Sequence, residues 1–330
     1  MNYLILIATL LLTSCSNSQL LGNGSQKNNI PVANSPVSSS TTPANTNPAN
    51  NEKSLTLTPM PADWQKNNHV HGVAVHPHDP NIVYLATHHG IVLRDESGKW
   101  LQVGKDDSDF MSFIADVNDH NKLYGSGHPP TGGNMGFVVS EDGGETWQQR
   151  SLPGVDFHGL AMSPSQPNIF YGWIASSQDG KKGLFSSTDA GKTWQPKQSK
   201  GLAEHPFSLV VDPIDPNTIF ATTDAGLYQS KDGGDNWQLI PNNNGLIISL
   251  SMVKEGERVI MYGYQFAQEN SSIVKSEDYG KTWQVLSSQI PGPILYLTAA
   301  PSQPEIFYGV NDKNIVFQSV DRGKNWQILN

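Results

Sequence analysis

The octet SEDGGETW at 140–147 returns four more times along the chain. The copies are STDAGKTW-type segments at 187–194, 230–237, 276–283 and 319–326, each holding Ser, Asp, Gly and Trp at the same offsets. A degenerate sixth copy keeps Asp95 and Trp100, and successive tryptophans stand 47, 47, 43, 46 and 43 residues apart. A fixed period of this length marks a stack of equivalent supersecondary units, none of which can bury its apolar face alone. Within each copy the Ser and Asp side chains can bond turn backbone, Gly permits positive φ, and Trp supplies bulk for packing between units. The interval holds four short strands, the size of one propeller blade.

The pattern S-x-D-x-G-x-[TN]-W resembles the Asp-box (BNR repeat) of sialidases, sortilin-type receptor domains and photosystem II assembly factors. The resemblance implies an all-β chain with a single β-propeller of four-stranded blades. It makes Asp142, Asp189, Asp232, Asp278 and Asp321 structural turn residues. Six blades are expected at roughly 67–105, 106–152, 153–199, 200–242, 243–288 and 289–330, with seven as the alternative. Strand a is placed at His71–Val75, Phe157–Met162 and Phe207–Val211 in three of them, and strand b at Ile82–Ala86, Ile169–Trp173 and Thr218–Thr222. Trp64-Gln65 mimics the start of a fourth strand, so 55–66 is a candidate for an added strand that closes the ring.

The N-terminus reads as an address and a tether. Leu4–Leu12 is an apolar run too short to span a bilayer and of the length of a signal-peptide core. Leu12-Thr-Ser-Cys15 follows and resembles the bacterial lipobox, although Met1-Asn-Tyr3 carries no basic residue. The resemblance implies cleavage before Cys15 and lipidation of it, hence a cell-membrane or outer-membrane lipoprotein facing away from the cytoplasm. Residues 16–54 are Ser-, Asn-, Thr- and Pro-rich and cannot bury enough surface to offset ordering, so they are expected to be a tether, with the propeller over 55–330. Cys15 is the only cysteine, which rules out an intramolecular disulfide. A net charge of −9 disfavours nucleic acid as a partner.

The ten histidines all lie between His69 and His205, which leaves the last 125 residues with none. Aligned at the start of strand a, one column reads His69, Asp109, Asp156, His205, Leu246, Pro293. Two residues on it reads His71, Met111, His158, Phe207, Ile248, Leu295. Residues two apart on a strand share a face. The loops between strands b and c add His88, His89 and His128, and in a propeller these loops emerge on the same side as the starts of strand a. His69, His71, His88, His89, His128, His158 and His205 are therefore expected at one mouth of the channel with Asp109 and Asp156. His76, His78 and His120 fall in the turns of the opposite side and are assigned to turn bonding.

Imidazole and carboxylate in this number suit a divalent transition metal: Zn, Cu, Fe or Mn. Met111 would add a soft ligand for copper. Three functions fit the pattern. The first is a metal site, used for hydrolysis or metal handling, with Asp109 or Asp156 as ligand, supporting partner or base. The second is a glycosidase of non-sialidase type, using Asp109 and Asp156 as its carboxylate pair. Sialidase chemistry needs three arginines on the substrate carboxylate, and the chain has only Arg94, Arg150, Arg258 and Arg322, none placed at the mouth. The third is a binding module for a surface protein or glycan, with Tyr264, Phe266 and Tyr296 as exposed aromatics in the apolar blades 5 and 6. The chain also resembles a group of bacterial Asp-box lipoproteins, labelled glycosyl hydrolases by fold, that carry His-x-His-Gly, Gly-His-Pro and Asp-Phe-His. These stand here as His69-Val-His71-Gly72, Gly127-His128-Pro129 and Asp156-Phe157-His158.

Overall fold

The computed structural model describes residues 55–202, 205–242, 244–267, 270–288 and 290–329. The signal peptide, Cys15 and the tether lie outside the described residues. Short β-prone runs, each stopped by Gly, Pro, Asn or Asp, fold into six antiparallel sheets. Blade 1 is β2 (Val70–Val75), β3 (Val83–Thr87), β4 (Gly90–Arg94) and β5 (Trp100–Val103). Blade 2 is β6 (Asp109–Ala115), β7 (Leu123–His128), β8 (Phe137–Ser140) and β9 (Gln148–Ser151). Blade 3 is β10 (Val155–Met162), β11 (Phe170–Ser177), β12 (Gly183–Ser187) and β13 (Gln195–Pro196). Blade 4 is β14 (Ser208–Val211), β15 (Ile219–Thr223), β16 (Gly226–Ser230) and β17 (Trp237–Ile240). Blade 5 is β18 (Leu246–Glu255), β19 (Arg258–Phe266), β20 (Ser272–Ser276) and β21 (Gln284–Ser287). Blade 6 is β22 (Ile294–Ala299), β23 (Phe307–Asn311), β24 (Val316–Ser319) and β25 (Gln327–Ile328). The inner strands β2, β6, β10, β14, β18 and β22 neighbour one another in that order, and β22 lies beside β2, which closes the ring at six blades.

The segment before blade 1 does not close the ring as expected. β1 (Leu57–Pro59) pairs with β5 and forms a fifth strand on the outer edge of blade 1. Trp64 sits in a single 3-10 turn (Trp64–Lys66) and packs among Val70, Leu85, Tyr308 and Val316, in the seam between blades 6 and 1. That seam is sealed by side chains instead of a shared sheet. The Tyr308 hydroxyl donates to the Pro80 carbonyl (2.7 Å), and the Val70 amide donates to Asn314 Oδ1 (3.1 Å).

Each Asp-box is a small hydrogen-bonded knot at the turn between strands c and d. In blade 3, Ser187 Oγ donates to Asp189 Oδ1 (2.8 Å) and accepts from the Gly191 amide (2.9 Å), while the Asp189 carboxylate accepts from both the amide and hydroxyl of Thr193. These bonds hold the Asp189 carboxyl down to about 2. Gly191 has φ +76° and lies so close to Phe137 of blade 2 that an added Cβ would fall 2.1 Å from the ring. Trp194 then packs on Phe137 and Phe157, with centroids 5.2 and 5.0 Å away. The box thus clamps one blade onto its predecessor, and it does so at the end of the ring away from the loops between strands b and c.

Candidate metal centre

Five of the six inner strands carry the same irregularity. Pairing with strand b skips His71 in blade 1, Met111 in blade 2, His158 in blade 3, Ile248 in blade 5 and Leu295 in blade 6. A one-residue bulge re-aims a side chain while the ladder continues on either side. The column that begins with His71 is therefore a set of bulge residues in every blade but the fourth, where Phe207 stands just before β14 (Ser208–Val211). His71, Met111, His158, Phe207 and Leu295 line the central channel, a cavity of about 290 Å³. Ile248 is buried instead, and Ser249 takes its place in the lining.

Two groups of ligand-type atoms form at the mouth, each with its atoms within 4.8 Å of one another: His71, His88 and Asp109, and His128, Asp156 and His158. In the first, Asp109 Oδ2 is 3.2 Å from His88 Nδ1 and Oδ1 is 3.7 Å from His71 Nε2. In the second, Asp156 Oδ2 is 2.8 Å from His158 Nε2 and Oδ1 is 3.9 Å from His128 Nε2. His128 Nδ1 lies 3.1 Å from the Gly133 carbonyl and His205 Nδ1 lies 3.0 Å from the Pro206 carbonyl. A carbonyl only accepts, so each Nδ1 carries the proton and Nε2 keeps its lone pair, the arrangement that outer partners impose on metal-binding imidazoles.

Burial sets the charge states. His71 is pushed down to about 3, chiefly by burial, with His88 and His69 adding to the effect and Asp109 opposing it. Burial also lowers His69 and His205. Burial alone would raise Asp109, but the hydrogen bond from His88 and the charges of His71, His88 and His128 outweigh it, and its carboxyl lies below the ordinary value. Near neutral pH, His69, His71 and His205 are thus neutral and Asp109 is ionised. Among the described residues, His71 Nε2, Asp109 Oδ1, Asp156 Oδ1 and His205 Nε2 are buried without a hydrogen-bond partner. Burying such atoms unpartnered is costly, and their N/O chemistry fits a transition-metal ion.

The remaining expected residues divide. His69 stands beside His71 and His88 (centroids 6.1 and 5.7 Å) but is itself exposed. His205 packs against His158 and Trp173 (5.8 and 5.5 Å). His89 turns away to pair with the exposed Asp107 at 3.0 Å and belongs to neither group. Asp107 and Trp173, and the carbonyls of Gly133 and Pro206, were not readable as partners, because loop path alone brings them to the rings. At the other end of the ring, His76 Nδ1 accepts from the His78 and Asp79 amides. The equivalent residues Asp116 and Asp212 cap their turns in the same way. None of the four arginines lines the channel. Arg94 lies over Trp100, and Arg150, Arg258 and Arg322 pair with Glu141, Glu277 and Glu255. Tyr264, expected as an exposed docking aromatic, is buried among Tyr262, Ile273 and Ile294, because the long β19 carries it into the blade interior. Phe266 and Tyr296 are half-buried.

Fold and mouth together define a six-bladed Asp-box propeller with a His/Asp-lined channel entrance on blades 1 to 4. The family model described as photosynthesis system II assembly factor YCF48 matches residues 96–266, just over half of the 330 residues, and the chain belongs to that family. No curated protein matches it in sequence. Among solved structures, a GH74 enzyme from Niastella koreensis superposes with a TM-score of 0.56 at 19% identity, over 78% of this chain and 45% of that one. The GH74 xyloglucanase from Xanthomonas campestris gives 0.55 at 18%, over 84% and 47%. A chain of the nidogen/laminin complex gives 0.52 at 13%, over 72% and 88%. The protein spans less than half the length of these GH74 enzymes, and at such identities the likeness is one of fold.

Proposed function

We propose that the protein is a lipid-anchored, extracytoplasmic propeller that binds a divalent transition metal at its channel mouth, through His71, His88 and Asp109 and through His128, Asp156 and His158. The observation that carries this reading is that three atoms of the two groups, His71 Nε2, Asp109 Oδ1 and Asp156 Oδ1, are buried without a hydrogen-bond partner among the described residues, where burial keeps His71 neutral. A divalent ion held by these residues would supply Lewis-acid chemistry at the mouth. Asp109 and Asp156 would serve as ligands or accept a proton beside it, and Phe207 and Leu295 give the channel below an apolar side. Elemental analysis of the tag-free protein after dialysis against Zn, Cu, Fe or Mn tests this. At least one equivalent is expected with one of the four, falling in the His71→Ala and Asp156→Ala variants. Less than a tenth of an equivalent with all four refutes it.

The family to which the chain belongs favours a second reading, in which the same mouth docks a surface protein or a glycan. Binding of a partner that survives complete removal of metal would favour it over the first. The anchor is tested by labelling cells with radioactive palmitate: label on wild type and none on Cys15→Ala is expected.

A further inference from the structure

The two His/Asp groups are not independent arrangements; they occupy the same positions of the propeller, one blade apart. His88 follows β3 in the turn between strands b and c of blade 1, and Asp109 starts the inner strand of blade 2. His128 ends β7 at the corresponding turn of blade 2, and Asp156 lies at the start of the inner strand of blade 3. Each of these two seams thus sets a turn histidine beside a strand-start aspartate, at 3.2 Å in one and 3.9 Å in the other. The series ends at the next seam, where Ser176, still inside β11, stands opposite Asp156, and His205 precedes the inner strand of blade 4.

The bulge residues complete the scheme. The seams between blades 1 and 2 and between blades 2 and 3 are each flanked by two of them, one from each blade. His71 and Met111 flank the first seam, and Met111 and His158 flank the second. All three line the one channel cavity. Rotation by one blade therefore gives two donor sets, His71/His88/Asp109/Met111 and Met111/His128/Asp156/His158, with the methionine common to both. Phe207 and Leu295 line the channel on the other blades, so this ring of positions is apolar except where it flanks the two seams. We infer that the mouth is a two-ion copper centre, one ion in each blade seam, with Met111 between them. This rests on the metal reading given above and adds number and identity to it. A thioether is neutral and polarisable and favours Cu(I), whereas Zn(II) and Mn(II) gain little from it; imidazole serves copper in both oxidation states.

The test is titration of the full chain with Cu(I) against a chromophoric Cu(I) chelator, and in parallel with Zn(II). Two Cu(I) per chain are expected. His88→Ala and His128→Ala should each leave one. Asp109→Asn and Asp156→Asn put the same question to each seam with a smaller change of shape, should either alanine variant fail to fold. Met111→Leu, close in volume, should lower the preference for Cu(I) over Zn(II) at least tenfold at both sites. One Cu(I) per chain, or a preference unchanged in Met111→Leu, overturns the two-ion copper centre and leaves the metal reading standing. No bound metal of either kind overturns both.

Discussion

His71 offers the most direct measure of how strongly the mouth disfavours positive charge. Its folded value is about 3 against an ordinary 6.5, mainly through burial. Above pH 6.5 the imidazole is neutral in both folded and unfolded chains and contributes nothing to the pH dependence. Between 6.5 and about 3 the unfolded chain takes up a proton that the folded chain refuses, so stability falls as the pH falls, and it levels off below the folded value. pH 5 lies about 1.5 units below the ordinary imidazole value, so protonation of the unfolded chain costs the folded state about 2 kcal/mol relative to pH 8. Asp109 does not confuse the window. Its carboxyl is lowered from 3.8, so its contribution is intact at pH 5 and is lost only as pH falls through its folded value. The perturbation is His71→Leu, which keeps an apolar side chain and removes the titration. Urea unfolding of metal-free wild type and variant at pH 8 and pH 5 gives the change in stability for each. Wild type should lose about 2 kcal/mol more than the variant over this interval. A difference below about 0.5 kcal/mol would show that His71 is freely protonated in the fold, and the neutral-imidazole account of the mouth would fail with it.

Four further outcomes follow from the same geometry. His88→Ala should reduce bound metal while His89→Ala, whose ring pairs with exposed Asp107, should bind as wild type does, by elemental analysis. Ser187→Ala removes the Oγ bonds to Asp189 and to the Gly191 amide and should cost about 1–3 kcal/mol in thermal unfolding with metal content unchanged. Gly191→Ala forces a Cβ to 2.1 Å from Phe137 at positive φ and should cost about 2–4 kcal/mol in urea unfolding. Tyr308→Phe leaves the Pro80 carbonyl without its 2.7 Å donor in the seam between blades 6 and 1. It should cost about 1–3 kcal/mol and loosen that seam first in hydrogen exchange.

The repeat made the fold legible because each Asp-box is a local object. Ser187, Asp189 and Thr193 find their partners within a few residues, so their spacing in the chain is already their geometry. The repeat and the breaks at Gly, Pro and Asp put the six strands given bounds within a residue or two of where they lie, except that β11 runs on to Ser177. The choice between six and seven blades was harder to read, since a short segment such as Leu57–Pro59 has the same local pattern whether it seals the ring or edges a blade. Its pairing with β5 depends on what the neighbouring blade leaves open. Tyr264 failed for a related reason: an aromatic in a strand is compatible with either face until a neighbour covers one of them.

The candidate site was legible as a set of residue types at one end of the ring. What the sequence by itself determined is the propeller, the side on which the histidines gather, and the absence of arginine from that side, because all three follow from period and strand order. Which atoms approach one another was decided only by the tertiary structure. The bulge that sets His71, Met111 and His158 on the channel, the grouping of His88 with Asp109 and of His128 with Asp156, and the turn of His89 toward Asp107 depend on how neighbouring blades are rotated and packed. A single strand carries its own period, but the distance between side chains of two blades is fixed by the packing that holds the blades together.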